Sequence, residues 1–385
     1  MEYKDFIEQV QNVYQTKEFV PLHVPHFSGN EKQYLTETID STFVSSVGKF
    51  VDEVEKFGAE YTQTAKAVAV VNGTAAIQVA LRLAGVKRDE EVITQALTFV
   101  ATANAIAYNG AQPVFVDVDL DTMGLSPNSL KSFLEENAET RNEGVFNKLS
   151  GKRIAAVLPM HTFGFMCRIQ EIVKICAEWN IPLVEDAAEA IGSKSNGQSA
   201  GSFGLLGAFS FNGNKIITAG GGGLIVSNHE ELAQLAKHLT TTAKKPHPYE
   251  YYHDSLGYNF RMPNVNAALL LAQFERIEYY RESKTAVYKS YQDFFVSKLD
   301  VSLVPIPETT SVWNYWLMCV SLENRTQRDA FLKETNENGI MTRPIWQLMY
   351  RLPMYAHCQR DRQENAAYLE ERIVNIPSSA TIIGV

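Results

Sequence analysis

Lys215 is the residue whose surroundings first suggest chemistry. It lies in the stretch FSFNGNKIITAGGGGLI, residues 209–225, after an apolar run and before four successive glycines. In an α/β protein such a turn lies at the carboxyl end of the sheet, where ligands bind in the crevice. A lysine amine that is partly shielded from water there can form a Schiff base. The simpler interpretation is a solvated loop lysine, because most lysines are exposed.

Three other stretches carry groups that could hold a cofactor beside this lysine. Asp186 ends an apolar strand in VEDAAEA, and a carboxylate there needs a partner such as a protonated ring nitrogen. The stretch VVNGTAAIQ predicts a helix that starts directly after a strand and offers main-chain N–H groups to a phosphate. Phe99 in TFVATANA is suited to stack on a planar ring. Taken singly, each feature has another interpretation. Asp186 could be a helix cap or a metal ligand, the glycine of the second stretch could serve a tight turn, and Phe99 could be a core aromatic.

Together the four features resemble the fold-type I pyridoxal phosphate enzymes. The segments FSFNGNKIITAGGGG, VEDAAEAIG and GYNFRMPNVNAAL are most similar to the DegT/DnrJ/EryC1/StrS sugar aminotransferases. The resemblance runs from GNEKQYLTETIDSTFVSSVGKFVDEVEKF to TRPIWQLMYRLPMY, nearly the whole chain. It implies a large αβα domain with a mixed, mostly parallel sheet, and a smaller α+β domain.

The resemblance assigns the reacting groups. Lys215 would carry the cofactor as a Schiff base and, once released by substrate, move a proton between the substrate carbon and the cofactor. Asp186 would hold the pyridinium nitrogen, Glu189 would contact the ring region, and Phe99 would stack on one ring face. Relatives that dehydrate sugars have histidine at the lysine position, so Lys215 favours transamination.

The resemblance also implies how the phosphate is held. Gly73, Thr74 and Ala75 would offer amides, and Ser210 would offer a hydroxyl. Asn259 matches an asparagine that reaches the phosphate from the other subunit, so a homodimer with shared sites is implied.

The substrate residues are less firmly indicated. His161 in LPMHTFG and Arg343 in TRPIWQ match family positions near the sugar or the amino donor, but a structural histidine and a surface ion pair are alternatives. The segment TTAKKPHPYEYYHD suits a functional loop, and its residues Lys244, His247 and Tyr251 are candidates for binding a nucleotide diphosphate across the dimer.

The glycine run after Lys215 has a structural interpretation. Asn212, Gly213 and Asn214 would form the turn that directs the lysine into the pocket. Residues 220–223, all glycine, would let the chain leave a crowded site through conformations that other residues resist. Plain flexibility is the alternative.

The elements that position these residues follow from the apolar pattern. Strands are predicted at residues 67–71, 91–94, 113–118, 154–158, 182–186 and 206–211, alternating with helices. One helix is predicted after Gly73 and Thr74 to Gly85, and another with Ser126 as its N-cap and Pro127 first. Residues 263–299 predict one or two long helices. The domains are predicted as 1–265, the cofactor-binding domain, and 266–385.

Composition narrows the class of protein. With 385 residues and a net charge of −9, the chain predicts a globular protein without a general nucleic-acid surface. The four cysteines, Cys167, Cys176, Cys319 and Cys358, are predicted to be free thiols in a reducing compartment, which favours the cytoplasm. No signal peptide, membrane span or metal site is predicted. The cluster of Asp117, Asp119 and Asp121 is interpreted as a solvated turn.

The function expected from the resemblance is transfer of an amino group, from L-glutamate, to C4 of a UDP-linked 4-keto-6-deoxy N-acetylated sugar. A dTDP-keto-sugar aminotransferase of different regiochemistry is the enzymatic alternative. A non-catalytic relative that binds the cofactor or a nucleotide sugar is the other, although such a protein has no need of Lys215.

Overall fold

The computed structural model describes residues 3–296 and 301–381. Its helices are α1 Tyr3–Tyr14, α2 Glu31–Asp40, α3 Lys49–Thr62, α4 Gly73–Leu83, α5 Val100–Tyr108, α6 Pro127–Asn137, α7 Ile169–Glu178, α8 Glu230–Thr240, α9 Asn264–Phe274, α10 Ile277–Phe295, α11 Arg325–Glu337 and α12 Glu364–Glu370. Its strands are β1 Lys66–Val70, β2 Glu91–Gln95, β3 Gln112–Val116, β4 Ala138–Arg141, β5 Gly144–Asn147, β6 Ile154–Leu158, β7 Val184–Asp186, β8 Lys194–Ser195, β9 Gln198–Ser199, β10 Leu206–Ser210, β11 Gly223–Ser227, β12 Val301–Leu303, β13 Met318–Leu322, β14 Arg343–Pro344 and β15 Ile373–Ile376.

Within the described residues, the main sheet has seven strands in two hydrogen-bonded parts. Four run in the order β1-β11-β10-β7 and three in the order β3-β2-β6. Parallel bridges between Val157 and Leu183 and between Met160 and Asp186 join the parts at β6 and β7. Strand β11 is antiparallel to both neighbours, and the other pairings are parallel. The carboxyl ends of β1, β2, β6, β7 and β10 therefore open on one edge.

Both faces of this sheet are covered. Successive strand side chains point to opposite faces. Val68 and Val70 of β1 accordingly belong to one buried cluster with residues of α4 and α8, whereas Ala67 and Ala69 belong to the other. The strands of this sheet are therefore buried on both sides along most of their length, which explains the continuous apolar runs of the sequence.

A second, antiparallel sheet has the order β12-β13-β15-β14. It follows α9 and α10, which are the two helices predicted for residues 263–299; residues 297–299 lie outside the described part. The domain boundary at residue 265 stays a prediction. No helix in the described part is both long enough and apolar enough to cross a membrane.

The predicted strands are all present, and the helix starts follow local capping. Ser126 is the N-cap of α6, and its Oγ accepts from the Ser129 N–H at 3.4 Å. Helix α4 begins at Gly73, earlier than predicted, because the side chain of Asn72 accepts from the Ala75 N–H at 2.8 Å.

The interpretation of the acidic cluster as a solvated turn was wrong for Asp117, which is buried, whereas Asp121 is exposed and lies in a turn. Asp117 is 7% exposed and accepts from the main-chain N–H groups of Asn365 and Ala366. Asp119 and Asp121 pair with the guanidinium of Arg168 at 2.6 and 2.8 Å. Within residues 3–296 and 301–381, no group of three or more His, Cys, Asp or Glu side chains is arranged to hold a metal ion. The four cysteines are buried and unpaired.

Candidate active site

A cavity of about 580 Å³ lies where the carboxyl edge of the main sheet meets the second sheet. Its lining includes eight of the eleven residues predicted to bind the cofactor or the substrates: Gly73, Thr74, Phe99, Asp186, Glu189, Ser210, Lys215 and Arg343. Three others from the same prediction, Ala75, His161 and Asn259, are not part of the lining.

Lys215 lies inside the cavity with its side chain 12% exposed. Its Nζ is 3.4 Å from Oε1 of Glu189 and 3.8 Å from the centre of the Trp316 ring. A carboxylate and an aromatic face both attract an ammonium group. The amine is therefore held in one place and is close to a proton acceptor.

Asp186 presents a buried carboxylate to the cavity. Its Oδ2 accepts from the Thr102 hydroxyl at 2.7 Å, and its Oδ1 accepts from the Ala188 N–H at 3.1 Å. Burial raises the pKa of this carboxyl, and the two hydrogen bonds oppose the rise. A cationic N–H donor in the cavity would stabilise the ionised form.

Glu189 is the second buried carboxyl group. Its Oε2 accepts from the Phe163 N–H at 2.9 Å, which leaves Oε1 for Lys215. Burial raises the pKa of Glu189 to about 7, against the opposing charge of Lys215. A group with this pKa can take up or release a proton near neutral pH.

The start of α4 lies against the end of β10. A Cβ on Gly73 would be 2.6 Å from Cβ of Ser210, so only glycine allows this approach. The first N–H groups of a helix have no partner within the helix, and its positive end favours anions. The Ala75 N–H is the exception, because the Asn72 side chain accepts from it. Gly73, Thr74 and Ser210 remain the donors that face the cavity.

Phe99 and Arg343 lie at more open positions. Phe99 caps α5 without a side-chain hydrogen bond and is 51% exposed. Arg343, at the start of β14, donates from Nη1 to Oδ1 of Asn336 and to the Thr342 carbonyl oxygen. In the described part of the chain, Arg343 and Lys215 are the cationic side chains of the lining.

His161 lies beneath the cavity in a buried polar cluster. Its Nε2 is 3.0 Å from Oε2 of Glu185, and its Nδ1 accepts from the Cys167 N–H at 3.3 Å. Glu185, fully buried, also accepts from the N–H groups of Gly201 and Phe203. These contacts tie the turn after β6 to the segment before β10.

Asn259 lies on the surface, where its Oδ1 accepts from Nη2 of Arg261 at 3.5 Å. The nearby loop at residues 244–253 is also exposed: Tyr249 is 80% and Tyr251 82% accessible. Nζ of Lys244 lies 3.9 Å from the centre of the Tyr251 ring. This loop carries cationic and aromatic groups away from the cavity of its own chain.

Several residues of the lining were not predicted from the sequence. Thr102, three positions after Phe99, faces the cavity from the first turn of α5, and helical spacing could have found it. Phe163, Trp316 and Trp346 form an aromatic wall; the rings of Phe163 and Trp346 are 4.9 Å apart. No local motif marks the wall, because its members come from distant segments.

The donor set fits pyridoxal phosphate. Asp186 can accept from a protonated ring nitrogen, and its raised pKa shows that such a partner would relieve the cost of its burial. The α4 amides with the hydroxyls of Thr74 and Ser210 suit a phosphate. Lys215 supplies an amine that can bind a carbonyl group covalently.

Comparisons with known proteins agree with this chemistry. The DegT/DnrJ/EryC1/StrS aminotransferase family model matches residues 25–383. EpsN of Bacillus subtilis (strain 168), assigned as a pyridoxal phosphate-dependent aminotransferase, is 36% identical over 334 residues, 87% of this chain and 83% of EpsN. GDP-perosamine synthase of Caulobacter vibrioides is 33% identical over 363 residues, 94% of this chain and 93% of the enzyme.

A crystal structure of a family aminotransferase from Brucella abortus superimposes with a TM-score of 0.81 at 25% identity, covering 91% of this chain and 90% of that one. The predicted fold-type I architecture, enzyme class and cofactor are thereby confirmed. The chain belongs to the DegT/DnrJ/EryC1/StrS aminotransferase family and is a pyridoxal phosphate-dependent sugar aminotransferase.

Proposed function

We propose that this enzyme transfers the amino group of L-glutamate to C4 of a UDP-linked 4-keto-6-deoxy N-acetylated sugar. The observation that carries the proposal is the meeting, in one cavity, of the Lys215 amine with two buried carboxyls, Asp186 and Glu189. The aromatic wall supports an acceptor with apolar substituents, such as a methyl group at C6 and an acetyl group.

Each residue then has a task. When bound, pyridoxal phosphate supplies an electron sink for the negative charge that develops at the substrate carbon. Lys215 would hold the cofactor covalently and, when free, would carry a proton to and from that carbon. Asp186 would keep the ring nitrogen protonated by accepting a hydrogen bond from its N–H. Glu189 would orient the amine through Oε1, and its pKa of about 7 would let it hold or release a proton near neutral pH.

The remaining groups would bind and orient the cofactor and the substrates. Gly73, Thr74 and Ser210, which line the cavity, would hold the phosphate, and Phe99 would cover the ring. Arg343 is the cation of the lining that remains to meet the carboxylate of the donor or the diphosphate of the acceptor. His161 acts on the site indirectly, by fixing the turn that precedes Phe163.

Besides Lys215, the described residues place one cation in the lining, which is few for a nucleoside diphosphate, so we infer a homodimer in which the partner adds more. Asn259 and the loop with Lys244, His247 and Tyr251 would reach the cavity of the second copy. Exposed apolar residues near the start of the chain, including Phe27, Phe43 and Val47, support a covered surface there.

A complementation experiment tests the shared site. Lys215→Ala and Asn259→Ala proteins are each assayed alone and after mixing and refolding. If Asn259 acts in the partner's site, a mixed dimer contains one intact site, and about a quarter of wild-type activity returns. A residue acting within its own chain would give no recovery. Sedimentation of the wild-type protein as a monomer would exclude the dimer.

The donor and acceptor are tested separately. With pyridoxal phosphate added, the wild-type protein is expected to show the yellow band of lysine-bound cofactor, and L-glutamate should bleach it. The bleached enzyme is then offered UDP-, GDP- and dTDP-linked keto sugars, and the products are identified by mass spectrometry and NMR.

Recovery of the yellow band with the UDP sugar, and an amine at C4, is the expected result. Recovery with a GDP sugar instead would favour the rival suggested by the similarity to GDP-perosamine synthase. A band that persists with L-glutamate and with other amino acids would support the non-catalytic alternative.

A further inference from the structure

Trp316 contacts Lys215 in two ways. Its ring centre lies 3.8 Å from Nζ of Lys215, and its Nε1–H donates to the carbonyl oxygen of Asn214 at 2.8 Å. Asn214 immediately precedes the lysine. One buried side chain, 3% exposed, therefore touches both the main chain at the base of the lysine and the amine at its tip.

The main chain of Trp316 is itself held on both sides. Its N–H donates to Oδ1 of Asn314 at 3.0 Å, and its carbonyl oxygen accepts from Nζ of Lys284 at 3.3 Å. The same Asn314 donates from Nδ2 to the carbonyl oxygen of Glu189 at 2.7 Å. Trp316 and Glu189, the two residues that attract the Lys215 amine, are thus joined through the side-chain amide of Asn314.

Lys284 is an unusual residue for this task. It lies on α10, is 1% exposed, and donates to the main-chain carbonyl oxygens of Trp316 and Ser378. Burial lowers its pKa well below the ordinary value. Burying an amine is costly, and the partners that the described residues offer Lys284 are these main-chain carbonyl groups, one of which belongs to Trp316.

We propose that Trp316 is a positioning residue that holds the Lys215 amine against Glu189, and that Lys284 positions Trp316 by clamping its carbonyl group. The proposal rests on the role of Lys215 as the cofactor-binding lysine. Displacing the indole would let the amine move by an ångström or more, and misplacement of that size costs roughly 10- to 100-fold in rate.

The test uses the full chain freed of cofactor. Lysines are dimethylated with ¹³C-formaldehyde, which preserves their charge, and their methyl signals are recorded by NMR. Nuclei above an aromatic face are shielded by its ring current, so the Lys215 methyl signal should lie upfield. Lys215→Arg identifies this signal, and Lys244, which lies over Tyr251, gives an internal reference.

Trp316→Leu should return the Lys215 signal to the position of solvated lysines and leave the Lys244 signal unchanged. Trp316→Phe should retain part of the shift, since it keeps a ring. Lys284→Met should move the signal partway. Trp346→Leu, a change in the same cavity that removes the ring against Phe163, is the matched control and should leave the Lys215 signal in place.

Two results would overturn the proposal: a Lys215 signal without an upfield shift in the wild-type protein, or a shift that survives Trp316→Leu. An unchanged Lys215 signal in Lys284→Met would show that Lys284 does not position Trp316. Protection of Lys215 from methylation by added pyridoxal phosphate tests the underlying role independently. Protection without the upfield shift would reject only the positioning role, and a shift without protection would reject the cofactor-binding role.

Discussion

Replacing Gly223 with alanine tests whether the glycine run is positional or simply flexible. Gly223 begins β11 and pairs with Val70 and Ser210 on its two sides. An alanine Cβ there would lie 2.4 Å from the carbonyl oxygen of Asn72 and 2.9 Å from the nitrogen of Gly73. Both atoms belong to main chain at the start of α4, so no side-chain rotation relieves the contact.

The cost follows from that geometry. Forcing extra atoms into a packed interior typically destabilises a protein by 1–3 kcal/mol, and a main-chain contact this short belongs at the upper end, about 3 kcal/mol. The strain would also move Asn72 and Gly73 away from Ser210. Losing one hydrogen bond to the charged phosphate costs about 1.5–3 kcal/mol, which weakens cofactor binding about 10- to 100-fold.

Two neighbouring glycines provide matched controls. At Gly221 the nearest atom to a new Cβ is the Val71 carbonyl oxygen at 3.9 Å, an ordinary contact, so Gly221→Ala should change stability by less than about 0.5 kcal/mol. Gly220 has φ of 74° and open space around its Cβ position, so alanine there should cost about 1 kcal/mol of backbone strain.

The assay is urea unfolding of the three variants without cofactor, followed by titration with pyridoxal phosphate. The expected order of stability is Gly221→Ala, then Gly220→Ala, then Gly223→Ala, with weakened cofactor binding confined to the last. Equal losses at all three positions would refute the positional argument and favour flexibility.

Further changes probe the carboxyl groups and the lysine. Thr102→Val removes the hydroxyl that donates to Asp186 and should weaken cofactor binding about tenfold in a fluorescence titration; unchanged binding would contradict the hydrogen bond's role. Because burial raises the pKa of Glu189 from 4.5 to about 7, the folded apoprotein holds this proton more tightly than the unfolded chain. The contribution of this proton to the free energy of unfolding is fully present below pH 4.5 and is lost as the pH rises through 7, and it amounts to at most about 3 kcal/mol. Glu189→Gln should therefore make the free energy of unfolding, measured with urea, less dependent on pH. The same pH dependence in both proteins would reject this prediction. Lys215→Ala should abolish turnover while the cofactor still binds non-covalently, and full activity in that variant would reject the mechanism.

Much of the site could be predicted from the sequence because a residue that ends a strand of a parallel sheet lies at a known edge of that sheet. Asp186 and Ser210 each end a strand of the main sheet, β7 and β10, which are parallel neighbours. Neighbouring parallel strands end at the same edge, so polar residues at these points meet without any knowledge of long-range packing. Helix starts were equally local, as the Ser126 cap illustrates.

The direction in which a side chain points was harder to predict from the sequence than its position at the end of a strand. Glu189 and His161 both follow an apolar strand closely, yet Glu189 faces the cavity and His161 turns beneath it toward Glu185. The turn after β6 decides this, because Phe163 adopts a positive φ of 55° and its N–H then donates to Glu189. A rare backbone conformation of this kind is held by its surroundings and is not encoded in residue type.

The sequence by itself determined the apolar strands, the local caps, and the lysine and carboxyl groups that belong at the carboxyl edge, because each depends on residues close in the chain. Only the tertiary structure decided which groups touch Lys215. Trp316 lies about a hundred positions away, and Lys284 reaches it from another helix. Such contacts depend on how the second sheet packs against the first, and no spacing within either segment specifies that arrangement.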